Sequence, residues 1–349
     1  MNDWKDSLIR EQATIRDAIE TIDESSFQVA IVTDEKLKLL GIITDRDVRR
    51  GVLKGIPLSE SIDHIINRNP RVASENDDKK KRLAILKKTK FRHLPIVNPD
   101  GVLTGVEILD SIKDASRQDV SIVIMAGGTG SRLQTLTRDC PKPLLKVGDK
   151  PILETILNNF TSYGYSKFYI SVNYKADMIE DYFGDGHDFD AEIEYLRESE
   201  KLGTAGALTL LPHKPTHPVI VMNADLLTKI NFKHLLDFHI HQDVYGTMCV
   251  RKYDFQVPYG VVQIKDQNIV RIDEKPVHQF FVNAGIYVLQ PEVLALIPRD
   301  TYFDMTELFD KIIEKRYSTT VFPVREYWLD IGQTDDFKRA NGDFKKVFK

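Results

Sequence analysis

No stretch of the chain approaches the roughly 20 consecutive apolar residues that a membrane helix needs. The opening residues, MNDWKDSLIREQ, are polar and lack the apolar segment of a secretory signal. Cysteine is nearly absent: Cys140 and Cys249 lie far apart, with no metal-ligand spacing. A surplus of one charge is missing too. The 48 Lys and Arg residues nearly balance the 52 Asp and Glu, leaving a net charge of −4 and no electrostatic footprint for nucleic acid. Together these absences lead to the expectation of a reduced, cytoplasmic protein that engages neither membrane nor nucleic acid. Two kinds of chemistry are absent as well. No G-x-G-x-x-G with an acidic residue about 20 positions on marks a dinucleotide loop. No Ser–His–Asp or Cys–His set stands out as a nucleophile with its base. A hexapeptide repeat, which would mark a left-handed β-helix, does not occur.

What is present is the composition of a globular protein, 42% hydrophobic and 29% charged over 349 residues, a length that fits two domains. The first third repeats itself. VAIVTDEKLKLLGIITDRDV, from Val29 to Val48, returns loosely as HLPIVNPDGVLTGVEILDSI, from His93 to Ile112. Each copy has an apolar strand, a polar turn and a second apolar strand opened by Gly41 or Gly105. A helical pattern precedes each, IRDAIETIDES and KKRLAILKKT, so the unit is helix, strand, strand, helix, used twice. Over residues 1–116 this resembles a tandem CBS (βαββα-type) pair. The resemblance implies self-association, hence a homo-oligomer, and an adenine nucleotide in the cleft. Thr44 and Asp47 fit the family's Thr-x-x-Asp ribose signature. In the second copy Glu107, Ile108 and Ser111 depart from it, which leaves one nucleotide site. Read from the residues alone, Asp47 equally serves to cap a helix through Val48, Arg49 and Arg50.

The polar segment Lys113 to Asp119 reads as a boundary, and residues 119–349 as a second domain. It opens on an apolar run, VSIVIMA, from Val120 to Ala126. Strand candidates FYISVNY, EIEYLRE, PVIVMNA, YGTMCVRK, YGVVQI and FVNAGIYVL then alternate with helical patterns such as ILETILNNFTSYG and NFKHLLDFHIHQ. This alternation predicts an α/β, Rossmann-like fold with a mixed, mostly parallel sheet.

Directly after VSIVIM comes AGGTGSRLQTLTRDCPKPLLKVGDKPIL. Gly127, Gly128 and Gly130 allow backbone N–H groups to approach phosphates where a Cβ would intrude, and Arg132 and Lys142 add positive charge. Alone, the glycines could also be an ordinary strand-to-helix turn. NADLL places Asp225 at the carboxyl end of a strand, where ligands collect in open α/β sheets, and YWLDIGQ offers Asp330 after another apolar run. The whole set resembles sugar-1-phosphate nucleotidylyltransferases, with their G-G-x-G-x-R-L, P-K-P-L and K-P-(I/M/L) elements. Gln134-Thr135 departs from that pattern at a structural position.

The resemblance covers residues 120–349. It implies transfer of a nucleotidyl group from a nucleoside triphosphate to a sugar 1-phosphate, with Asp225 and Asp330 holding Mg²⁺. It assigns the sugar phosphate to Glu274 and Lys275 of RIDEKP, with Gly260, Asn283 and Gly285 beside it. Leu202 to Gly206 resembles the base-binding loop, including Gly203 and Thr204. Glu198 stands where uridylyl- and thymidylyltransferases tend to have Gln, as in the E-x-E-x-L-G-T-A-G of mannose-1-phosphate guanylyltransferases. A carboxylate only accepts, which suits guanine's adjacent N1–H and N2–H₂, so GTP is expected. The domain order resembles guanylyltransferases of the legionaminic acid pathway and implies glucosamine 1-phosphate. Mannose 1-phosphate, a UTP- or dTTP-using enzyme, and a non-catalytic nucleotide sensor stay open as alternatives.

Overall fold

In the N-terminal unit the sequence repeat becomes a structural one, down to an irregularity in its sheets. The computed structural model describes residues 4–89, 91–108 and 119–348, and its two units are Met1–Lys113 and Asp114–Lys349. The helix Ile15–Glu24 precedes antiparallel strands Val29–Thr33 and Leu39–Thr44; the helix Lys79–Thr89 precedes His93–Val97 and Leu103–Ile108. Both hairpins carry a bulge at the same step, between Val32 and Thr33 and between Ile96 and Val97. Thr14 starts the first helix through a capping box with Asp17. That helix buries Ile15, Ala18 and Ile22, one helical face, against the sheet.

Each hairpin also gains a short parallel strand, Leu8–Arg10 or Ala73–Ser74, too brief for sequence periodicity to reveal. The helix Asp45–Leu53 closes the first copy. The matching helix of the second copy, Ser111 and the boundary through residue 118 lie outside the described residues.

The C-terminal unit is built on seven strands: β1 Ile122–Met125, β2 Lys167–Val172, β3 Glu192–Arg197, β4 Val219–Asn223, β5 Gly246–Gln256, β6 Val277–Leu289 and β7 Thr319–Val324. Their order is β3-β2-β1-β4-β6-β5-β7. Pairing is parallel from β3 through β4 and between β5 and β7, while β6 runs antiparallel to both its neighbours. The sheet is mixed and mostly parallel, as expected. Central β1 and β4 are apolar on both faces because both are covered: Ile122, Val123, Ile124, Val219, Ile220 and Val221 are fully buried.

From β1 the chain moves outward to β2 and β3, then returns to β4 on the other side of β1. The order therefore reverses between β1 and β4, and a crevice opens beyond their carboxyl ends. One expectation needs refining. YGVVQI forms a strand, Val261–Lys265, but outside the main sheet, in a hairpin with Asn268–Asp273. That hairpin sits at the end of a ribbon made by the outer halves of β5 and β6.

Candidate active site

The crevice beyond β1 and β4 holds a cavity of about 340 Å³, lined by the loop from Met125 to Leu133, by Lys142, Glu198, Gly203 and Thr204, and by Asn223 to Asp225. Gly127 packs closely on Glu198, whose Oε1 an added Cβ would meet. Gly130 has a left-handed φ of +64°. At Gly128 no atom of the described residues lies within 4 Å of a Cβ built there. Its side of the loop faces the cavity.

Asp225 follows β4, and Asp330 ends the short strand Trp328–Asp330. They are brought together by backbone pairing, because Leu226–Thr228 runs antiparallel to that strand with Leu226 opposite Asp330. Ile331 N–H also donates to the Asp225 carbonyl at 3.0 Å. Lys142, nearly buried, donates from Nζ to Asp225 Oδ2 at 2.5 Å. Asp330 Oδ1 is buried and has no hydrogen-bond partner among the described residues. Burial, then the charge of Asp225, pushes the Asp330 carboxyl above the usual carboxylate range, with Lys142 and Arg132 pulling the other way. Arg132 itself is exposed at the cavity rim, near Gly332.

Paired acids with an unsatisfied, buried oxygen are the donor chemistry a hard cation takes. Among the described residues no group of three or more His, Cys, Asp and Glu gathers at one point. Two carboxylates fit Mg²⁺, which keeps several waters and takes its remaining oxygens from substrate phosphates.

Glu198 lines the cavity with both oxygens engaged. Oε1 accepts from the Ser171 hydroxyl, and Oε2 from Leu202 N–H at 2.8 Å. The carboxylate therefore fixes the start of the loop that follows, and only its remaining lone pairs are free for a base. In that loop Gly203 has φ +80°, and a Cβ there would lie 2.7 Å from the Phe303 carbonyl oxygen. Thr204 is held by Asp304, whose Oδ1 accepts from its N–H at 2.9 Å and its hydroxyl at 3.0 Å. Asp304 also caps the helix Met305–Glu314 in a box with Glu307.

The residues assigned to the sugar phosphate are placed differently. Gly260, Glu274, Lys275 and Asn283 do not line this cavity. Gly260 and Glu274 sit side by side at the base of the exposed hairpin, with a Cβ on Gly260 3.0 Å from Glu274 Oε2. Asn283 orients Gly285 N–H at 2.9 Å and donates to the Tyr287 hydroxyl at 2.7 Å. Gly285 packs against Asn223, a residue of the cavity wall. In the N-terminal unit Thr44 and Asp47 do line one cleft, of about 520 Å³, together with Arg46, Arg50 and Arg71. There Asp47 Oδ2 accepts from Thr44 N–H at 3.0 Å and Thr44 Oγ1 at 2.6 Å, so it also caps its helix.

Sequence reasoning passed over Lys201, Tyr302, Asn223 and Asp304, all of which line the cavity. Asp304 was findable: Asp-x-x-Glu before the apolar run of ELFDKII is a capping signature. Its proximity to Thr204, 100 positions earlier, was not.

Residues 121–347 match the family model described as nucleotidyl transferase, and residues 7–54 that of the CBS domain. The mannose-1-phosphate guanyltransferase of Kluyveromyces lactis is 35% identical over 225 residues, 62% of this chain and 62% of that protein. The same-named protein of Aspergillus oryzae is 36% identical over 226 residues, 62% of this chain and 61% of that one. The chain thus spans less than two thirds of these curated relatives. HddC from Yersinia pseudotuberculosis, solved in complex with GMP-PN, matches with a TM-score of 0.51 at 25% identity, over 64% of this chain and 99% of that one.

Proposed function

Since this chain belongs to the nucleotidyl transferase family and carries an N-terminal CBS domain, we propose that it joins a nucleoside triphosphate to a sugar 1-phosphate, releasing pyrophosphate. The observation that carries this reading is the meeting of Asp225, Asp330 and Lys142 at the reversal point of the sheet, beside the glycine loop. A phosphate monoester with a second pKa near 6 is mostly dianionic at neutral pH and needs no side chain to remove a proton. Catalysis is then positioning and charge neutralisation. Asp225 and Asp330 would hold Mg²⁺, which when bound would neutralise the reacting phosphate oxygens. Arg132 and Lys142 would stabilise charge on the departing pyrophosphate. Loop N–H groups from Gly127 to Gly130 would receive the triphosphate. Glu274 and Lys275 would bind the sugar phosphate, with Gly260, Asn283 and Gly285 around the sugar.

GTP is the favoured nucleotide. Glu198 lies at the cavity as an acceptor, and the similar curated proteins carry guanyltransferase names. Glucosamine 1-phosphate is supported by the domain order, and mannose 1-phosphate by those same names; the two acceptors stand level. The N-terminal cleft would take an adenine nucleotide, its ribose at Thr44 and Asp47 and its phosphates among the arginines. A non-catalytic sensor would have no use for the paired acids and Lys142, all retained here. The test is pyrophosphate release across four nucleoside triphosphates and a panel of sugar 1-phosphates with Mg²⁺. Turnover with GTP and one hexosamine or hexose phosphate is expected. A preference for UTP would remove the guanine assignment, and no release with any pair would remove the reaction.

A further inference from the structure

Lys201 stands on the wall of the catalytic cavity, three residues after Glu198 and directly before the loop from Leu202 to Gly206. Its charge is uncommitted. Among the described residues its ammonium enters no hydrogen bond and no ion pair, and lies instead over the Tyr302 ring, 5.7 Å from the centroid, within cation–π reach. That ring is itself fixed. The Tyr302 hydroxyl donates to Asp304 Oδ2 at 2.9 Å, while Asp304 Oδ1 holds Thr204. Backbone bonds stitch the two segments together: Phe303 N–H donates to the Leu202 carbonyl at 2.8 Å, and Ala205 N–H to the Phe303 carbonyl at 3.0 Å. The wall thus presents a free cation on a fixed backing.

Its neighbours decide what that cation can meet. Two carboxylates, Glu198 and Asp304, share the cavity lining with it. Burial works to raise the Asp304 carboxyl, but the Thr204 N–H, the Tyr302 and Thr204 hydroxyls and the Lys201 charge together hold it below the usual carboxylate range. It is therefore ionised at neutral pH. A phosphate beside Lys201 would face that negative charge, whereas a neutral base would not. Guanine offers two acceptors, O6 and N7, on the edge next to its N1–H, and an ammonium only donates. Adenine carries an amino group in place of O6 and would meet the ammonium donor to donor. We propose that Lys201 is a specificity residue that donates to the O6–N7 edge of guanine, beside the N1–H and N2–H₂ assigned to Glu198. The inference rests on the proposed nucleotidyl transfer and on its guanine base.

Pyrophosphate release by the full chain with GTP, 7-deaza-GTP and 6-thio-GTP tests this. The first analogue lacks the N7 acceptor and the second has a weak acceptor in place of O6, while both keep N1–H and N2–H₂. Wild-type enzyme is expected to prefer GTP over at least one analogue by roughly tenfold or more. Lys201→Met keeps the apolar stem and should lower kcat/KM for GTP roughly ten- to a hundredfold, the loss of a hydrogen bond to a charged group, while the disfavoured analogue is used nearly as before. Lys201→Arg should restore the preference, because a guanidinium also donates to O6 and N7. The residue is exposed, so neither substitution opens a cavity in the core. An equal loss with GTP and both analogues would give Lys201 to the phosphates and overturn the proposal, as would a preference that Lys201→Met leaves unchanged. Wild-type enzyme that does not use GTP would remove the guanine reading and this inference with it. Wild-type turnover of GTP beside an unselective Lys201 would remove this inference alone.

Discussion

Asp225 and Asp330 owe their meeting to three residues of backbone pairing, and the chemistry proposed for them rests on single carboxylates. Replacing either by Asn keeps the volume and removes the charge. We expect Asp225→Asn and Asp330→Asn each to lower kcat by on the order of a hundredfold or more, the scale of losing a metal's electrostatic contribution. Mn²⁺ binding followed by electron paramagnetic resonance should weaken in parallel; unchanged Mn²⁺ affinity would remove these residues from the metal site. Glu198 is the second residue-level case. Gln can keep both structural bonds, its oxygen accepting from Leu202 N–H and its amide donating to Ser171. Glu198→Gln should therefore leave stability intact and lower kcat/KM for GTP roughly ten- to a hundredfold, the loss of a hydrogen bond to a charged group, while UTP use improves. Glu200, exposed and away from the cavity lining, is the control: Glu200→Gln should change neither. If both variants keep the wild-type nucleotide preference, Glu198 acts only as the fastening of its loop.

At the scale of elements, the helix Phe232–Gln242 carries a pH liability. His239 is fully buried, and burial pushes its pKa from an ordinary 6.5 down to about 4. Gln290 can donate only from its amide to His239 Nε2, so Nδ1–H donates to Thr247 Oγ1. The folded state thus holds a neutral ring, while the unfolded chain takes up a proton below pH 6.5. Stability is fully present above 6.5 and is lost as pH falls from 6.5 towards 4, by about 2 kcal/mol between pH 7 and pH 5. Urea unfolding at the two pH values should show that loss, and His239→Gln should remove most of it.

The same scale shows what the sequence could reveal. Long or strongly apolar strands such as VIVMN announced themselves, because burial on both faces leaves a continuous run. The three-residue strand Leu8–Arg10 and the two-residue Ala73–Ser74 did not, since neither is long enough to show a period. YGVVQI had the right pattern, but its pattern does not say which sheet it joins.

For the whole molecule, every group proposed to act in transfer lies after residue 119, and so does every strand of the sheet that positions them. A chain of residues 119–349 should fold and keep most of its turnover, with losses confined to regulation or assembly. A well-folded but inactive fragment, judged by circular dichroism and the pyrophosphate assay, would show that the N-terminal unit completes the site. The family-like run from Ala126 to Leu153 made the phosphate end of the site readable in advance, since its residues are close in sequence. The far wall was not readable: Thr204 and Asp304, or Ser171 and Glu198, meet only through folding.

The shared bulge of the N-terminal hairpins carries a last consequence. Because Val29 pairs with Thr44 and His93 with Ile108 through the same offset, the two hairpins are interchangeable parts at the level of the main chain, and Thr44 and Ile108 occupy one and the same seat. The scaffold is indifferent to which copy it serves. Whether a seat can greet a sugar hydroxyl then comes down to what its occupant ends in: an oxygen in the first copy, a hydrocarbon in the second.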